Sequence, residues 1–288
     1  MTAARSLGRL LPGPLLAALA LPLLAQEPAE ELTPVDKQQI EAALKLTTAE
    51  AAKYLFQLEG TDVRPKLREE PLLRWSNPSV GEVHGNVFLW TVNERPAAVG
   101  SLFKWFTPHT HMSHEFHSLA EAPVTGIYQG APVWRTREAG VRFAPLPDAP
   151  PPAASAAQRL LQMRRLAREF AVTKEDRDGD RQELRLLTQP IHRYRSPESA
   201  VQDGGLFVFV QGTDPELFLL LEARGPQDAA KWMYAAARMN SVGFRLRRRD
   251  REVWAVEIMP WGDVGSHAEV YTSFRHDAAP APLAGEDN

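Results

Sequence analysis

The chain has 288 residues, 44% of them hydrophobic and 24% charged, a balance that supports a folded core and excludes wholesale disorder. Cysteine is absent, which excludes disulfides, a thiol nucleophile, a lipid-modified cysteine at a leader junction and any cysteine-held zinc or iron–sulfur centre. The formal net charge is −3, and removal of Arg5 and Arg9 with an amino-terminal leader takes it to −5, so no nucleic-acid partner is expected.

Residues 1–25 read as a signal peptide. Arg5 and Arg9 give a positive start, Leu10 to Leu24 is apolar with Pro12 and Pro14 inside it, and Ala25 precedes a plausible cut before Gln26. The apolar run, about 15 residues, is shorter than the roughly 20 of a spanning helix. A cleaved leader is therefore expected rather than an anchor, with no transmembrane segment in the mature chain and a periplasmic or secreted location.

Residues 26–36 form an acidic, Pro-containing linker. Thr33 or Asp36 caps a helix expected over Lys37 to Leu46, with Ile40, Ala43 and Leu44 on one face, and Thr47 to Ala52 suggests a further short helix. Strands are expected at Tyr54 to Leu58 and Leu72 to Trp75. Asn86 to Val92 and Ala97 to Phe106 read as a hairpin turning at Asn93-Glu94. Shorter strands follow at Phe116 to Leu119, Gly126 to Tyr128, Val133 to Arg137 and Val141 to Ala144.

Pro145 to Ala153, with five prolines in nine residues, is the clearest break. A helix over Ser155 to Phe170 follows, its buried side set by Leu160, Leu161, Met163, Leu166, Ala167 and Phe170. Ala171 to Lys174 and Glu183 to Leu187 pair around Asp178-Gly179, and Leu206 to Gln211 pairs with Leu217 to Glu222. Ala229 to Arg238 reads as helical. Phe244 to Arg248 and Glu252 to Met259 form another hairpin, and Ala268 to Phe274 a last strand.

Pro71 to Pro78 (PLLRWSNP) resembles Pro190 to Pro197 (PIHRYRSP), an offset of 119 that continues through Gly85/Gly204, Phe88/Phe207, Trp90/Phe209 and Pro96/Pro215. The expected fold is α+β: two pseudo-repeated units, 37–149 and 150–277, each a helix packed on an antiparallel sheet, followed by a flexible tail over 278–288.

Four of eight histidines fall within nine residues: His109, His111, His114 and His117. On an extended segment His109 and His111 share a side, and on a helix His114 and His117 lie one turn apart. Neutral imidazoles suit zinc or another divalent transition metal, and Glu115 is placed to act as a base or to orient an imidazole. The spacing from His114 to His117 is one short of the zinc-protease pattern, and the bland alternative is a polar loop. Asp176 to Glu183 has its glycine too early for a calcium loop and reads as a hairpin turn. Arg245, Arg247 and Arg249 alternate along one strand face, either simply solvated or binding an anion such as an acidic polysaccharide or a protein partner.

The helix Gln158 to Phe170, the Pro-rich stretch before it, Lys104-Trp105-Phe106 and His114 to Leu119 resemble a family of conserved exported proteins from planctomycete-type bacteria. That resemblance spans most of the mature chain and implies export and a shared fold, with no activity attached. Without a nucleophile elbow, P-loop or dinucleotide fingerprint, the expected role is a non-catalytic binding module for an envelope or extracellular partner. The alternative is a metal-dependent, hydrolase-like enzyme using the cluster from His109 to His117.

Overall fold

At the start of the first helix the Thr33 hydroxyl accepts from the Asp36 N–H while the Asp36 carboxylate accepts from the Thr33 N–H, a reciprocal cap. The computed structural model describes residues 33–226 and 228–275; the expected leader and tail lie outside them. Helix α1 (Pro34–Ala51) is one continuous helix rather than two. Thr47 stays helical because its hydroxyl donates to the Leu44 carbonyl and accepts from Asn86 Nδ2.

The strands that follow are β1 (Tyr54–Leu58), β2 (Lys66–Leu67), β3 (Leu73–Ser76), β4 (Glu82–Val92), β5 (Arg95–Thr107) and β6 (Met112–Ser118). Next come β7 (Val124–Tyr128), β8 (Ala131–Arg135) and β9 (Ala144–Pro145), then helix α2 (Ala156–Ala167), capped by the Ser155 hydroxyl. The second half continues with β10 (Phe170–Glu175), β11 (Arg181–Glu183), β12 (Arg185–Leu186), β13 (His192–Ser196) and β14 (Val201–Gln211). It ends with β15 (Asp214–Arg224), β16 (Lys231–Arg238), β17 (Gly243–Arg248), β18 (Arg251–Val256) and β19 (Tyr271–Arg275).

These strands make four antiparallel sheets. Two are central: β19-β6-β5-β4-β2 with β3 beside β4, and β12-β14-β15-β16-β9 with β13 beside β14. Two are outer: β1-β7-β8 and β11-β10-β17-β18. Side chains alternate across each strand, so a strand buried on both faces reads as a continuous apolar run. On β14, Leu206, Val208 and Val210 meet Val87, Leu89 and Val99 of the other central sheet. Phe207 and Phe209 turn the opposite way, onto Phe170, Val172 and Phe244 of an outer sheet and Met163 of α2. On the far side Phe88, Trp90 and Phe116 pack on Tyr54, Phe56 and Trp134 of the other outer sheet. Full burial of a phenylalanine such as Phe88 or Phe116 is worth about 1.5–3 kcal/mol.

The expectation of α+β units, each a helix on a sheet, is corrected. The described residues are mostly β, with two α-helices against nineteen strands, and three layers of side chains lie sheet against sheet. Ala229 to Arg238 is the main misreading. Its alanines favour a helix, yet β16 pairs with β15 along its whole length. Ala235 and Ala237 face one sheet and Ala236 the other, so small side chains suit a strand enclosed on both faces. Val141 to Ala144 forms no strand beyond the short β9. On α2, Met163, Leu166 and Ala167 are buried as expected, whereas Leu161 is 53% exposed. Arg159 is buried instead, donating to Asp203.

Trp75 pairs across the ladder with Gly85, and Tyr194 with Gly204. Each ring lies where a side chain would project: a Cβ on Gly85 would fall 2.2 Å from Trp75, and one on Gly204 2.5 Å from Tyr194. The hairpin at Asn93-Glu94 is as read, both residues having positive φ (47° and 67°), the backbone of a two-residue turn matched to strand twist. The last strand, β19, returns to β6, while β9 joins β16, so each half adds a strand to the other's central sheet.

Candidate functional site

The four clustered histidines do not converge. His114 and His117 sit on β6, not on a helix, and an odd spacing along a strand turns them to opposite faces. His114 is buried in the aromatic layer, its Nδ1 2.7 Å from Tyr54 Oη and its ring edge-on to Tyr128. His109 and His111 are together on the connection before β6, ring centroids 5.4 Å apart and both beside Trp105. Among the described residues no group of three or more His, Asp or Glu side chains is placed to hold a metal ion.

His117 lines a cavity. In the β6–β19 ladder it stands opposite Tyr271, and Glu115 stands opposite Ser273. This pair of strands forms one wall of a space of about 440 Å³. Ala236 and Arg238 of β16 close it from the second central sheet, Trp254 and Val256 of β18 from the outer sheet, and Gly140 and Val141 from the loop before β9. Gly140 is needed there because a Cβ would meet the Ser118 carbonyl oxygen at 2.0 Å.

The polar groups on the cavity wall, and those bonded to them outside its lining, have defined states. His117 Nδ1 lies 2.7 Å from the Ser118 carbonyl, which only accepts, so Nδ1 carries the hydrogen and Nε2 the lone pair. Burial, with the nearby Arg238 charge assisting, pushes the imidazole down to about 4. Arg238 donates from Nε to the Asn240 carbonyl at 2.8 Å and from Nη2 to the carbonyls of Val242 and Glu257. Burial, with Arg177 adding repulsion, lowers its guanidinium to about 10. The Tyr271 and Ser273 hydroxyls both donate to Glu115 Oε1 at 3.2 Å. Burial raises the Glu115 carboxyl to about 8, with the negative charge of Asp214 next in weight. Deeper in, Glu216 accepts from Lys174 Nζ at 2.7 Å and from Asn240 Nδ2 at 3.0 Å, while Asp214 accepts from Asn77.

The arginines read as an anion face are largely engaged. Arg245 pairs with Glu257 at 2.7 Å and lies 3.9 Å from Glu252. Arg249 is off the strand, in the turn at φ 53°, and pairs with Glu169 at 3.3 Å. Arg247 is exposed on β17. Asp176 to Glu183 is the expected hairpin turn, with Gly179 at φ 87°.

Sequence reasoning found His117 and Glu115 but missed Arg238, Tyr271 and Trp254. The one available signal was an arginine closing the apolar run from Trp232 to Ala237, a charge where both strand faces are packed. Chemically, the cavity offers an apolar wall, a fixed cation and a neutral imidazole acceptor, and its lining contains no serine, threonine, cysteine or lysine. Comparison of the chain with protein-family models, with curated proteins and with solved structures finds no match.

Proposed function

We propose that this is an exported, non-catalytic binding protein that takes a small ligand into the cavity between His117, Arg238, Trp254 and Tyr271. The observation that carries this reading is the half-open cavity of about 440 Å³, apolar on one side, with three buried polar side chains from three different strands on its wall. Such a size and lining are those of small-molecule sites. The lining has no serine, threonine, cysteine or lysine, and its carboxylates Glu138 and Glu269 face Arg142 and Arg137, which favours capture over turnover. The metal-dependent alternative draws no support from four imidazoles that point to three different places.

Export rests on the leader pattern of residues 1–25 and is tested by the amino terminus of protein recovered from the cell envelope, expected at Gln26. The 119-residue internal repeat is proposed at the level of strand pairing alone. Lys66↔Thr91 and Arg185↔Val210 keep that offset, as do Trp75↔Gly85 and Tyr194↔Gly204. In that register His117 corresponds to Ala236, and both line the same cavity, which is walled by residues of the two halves.

Calorimetric titration with octanol, octanoate and octylamine tests the binding role. At least one probe is expected to bind saturably at one site per chain, and Ala268→Trp, at the half-buried cavity wall, is expected to abolish it. Saturable binding by none of the three refutes the reading.

A further inference from the structure

We infer that the ligand of this cavity is a monoanion with an apolar body, of the alkyl carboxylate class, whose charged end is held by Arg238. The inference rests on the cavity being a binding site and adds the chemistry of its occupant. It starts from a charge count. Among the described residues the other fully buried arginines, Arg159 and Arg248, each hold a carboxylate, from Asp203 and Glu169 respectively. Arg238 is 6% exposed and has no carboxylate within 4.0 Å among the described residues. Its near neighbour Arg177, stacked 3.7 Å from the Trp261 ring centroid, adds positive potential instead of cancelling it.

A buried cation with no counter-ion is costly unless something supplies the opposite charge. Here the protein supplies no carboxylate: the Phe244 and Tyr271 ring centroids lie 5.9 Å away, and the hydrogen-bond partners are carbonyl dipoles. They fix the guanidinium through Nε and Nη2 and leave Nη1 with no hydrogen bond to any described residue. An immobilised donor on a cavity wall is suited to an anion. The remaining charges at the cavity cancel: Arg142 pairs with Glu138 at 2.8 Å and Arg137 lies 4.0 Å from Glu269. His117 is neutral, so the interior offers one positive charge, which a monoanion matches and a dianion exceeds. Trp254, Val256 and Met259 then face the rest of the ligand, which selects an apolar body over a sugar or an amino acid.

The test compares octanoate, methyl octanoate, octanol and octylamine by calorimetry on the purified protein, with Arg238→Gln, Arg238→Lys and, as a distant control, Arg247→Gln. Octanoate is expected to bind at least about tenfold tighter than the neutral probes, the range of a charge-assisted hydrogen bond, and octylamine most weakly. Arg238→Gln is expected to remove the preference for octanoate while leaving octanol binding in place, Arg238→Lys to restore part of it, and Arg247→Gln to change nothing. Should Arg238→Gln fail to fold, the ranking of the four probes on the parent protein still decides the matter. Octanol or octylamine binding as well as octanoate overturns the ligand class and leaves the cavity as a binding site. Binding by no probe overturns the binding site itself.

Discussion

Replacing Glu115 with glutamine is expected to stabilise the protein by an amount that grows with pH. The Glu115 carboxyl is held at about 8 against an ordinary value of 4.5, first by burial and then by the negative charges of Asp214 and Glu216. In the unfolded chain the group ionises near 4.5, so between about pH 4.5 and 8 the folded state retains a proton that the unfolded state has lost. Stability is therefore complete below that window and falls as pH rises through it, by about 1.4 kcal/mol per pH unit. At pH 7 the deficit is about 3 kcal/mol, and above pH 8 it levels off near 5 kcal/mol. Glutamine keeps a carbonyl oxygen to accept from Tyr271 and Ser273 but cannot ionise. Urea unfolding of Glu115→Gln and parent should give equal stabilities near pH 4.5, a difference of about 3 kcal/mol at pH 7 and a plateau above pH 8. A difference flat across that range, or a variant less stable than the parent at pH 7, refutes the reasoning.

Gly85→Ala and Gly204→Ala should each destabilise by about 1–3 kcal/mol, because the added methyl meets the ring of Trp75 or Tyr194 well inside contact distance; thermal melts check this. Glu222→Ala should cost about 3–5 kcal/mol, since Arg95 and Arg224 lose their shared buried carboxylate and the Tyr194 hydroxyl its acceptor; denaturant unfolding is the measurement. His117 should stay neutral until about pH 4 in the folded protein, followed by the NMR shifts of its ring. Its lowered value means that its share of stability is whole above the ordinary value of 6.5 and is lost as pH falls towards 4.

Local signals carried the parts of the fold that local chemistry decides. The Thr33 cap, the Asn93-Glu94 turn, the Asp178-Gly179 turn and strand β1 are legible because each depends on residues a few positions apart. Ala229 to Arg238 was not legible. Helix propensity and enclosure between two sheets make opposite demands, and pairing with β15 prevails over propensity. The histidine cluster was visible as composition, but its meaning turned on period: on a strand His114 and His117 part company, and only His117 reaches the cavity.

By itself, then, the amino-acid sequence determined the cysteine-free chemistry, the short-range turns and caps, and the apolar runs that had to be buried. The tertiary structure alone decided that those runs stack as four sheets, and that Arg238, Tyr271 and Trp254 meet His117 across more than a hundred residues of chain. The reason is physical: turns and caps depend on contacts a few residues long, whereas the wall of a cavity is assembled by strands whose neighbours are chosen by packing rather than by order along the chain.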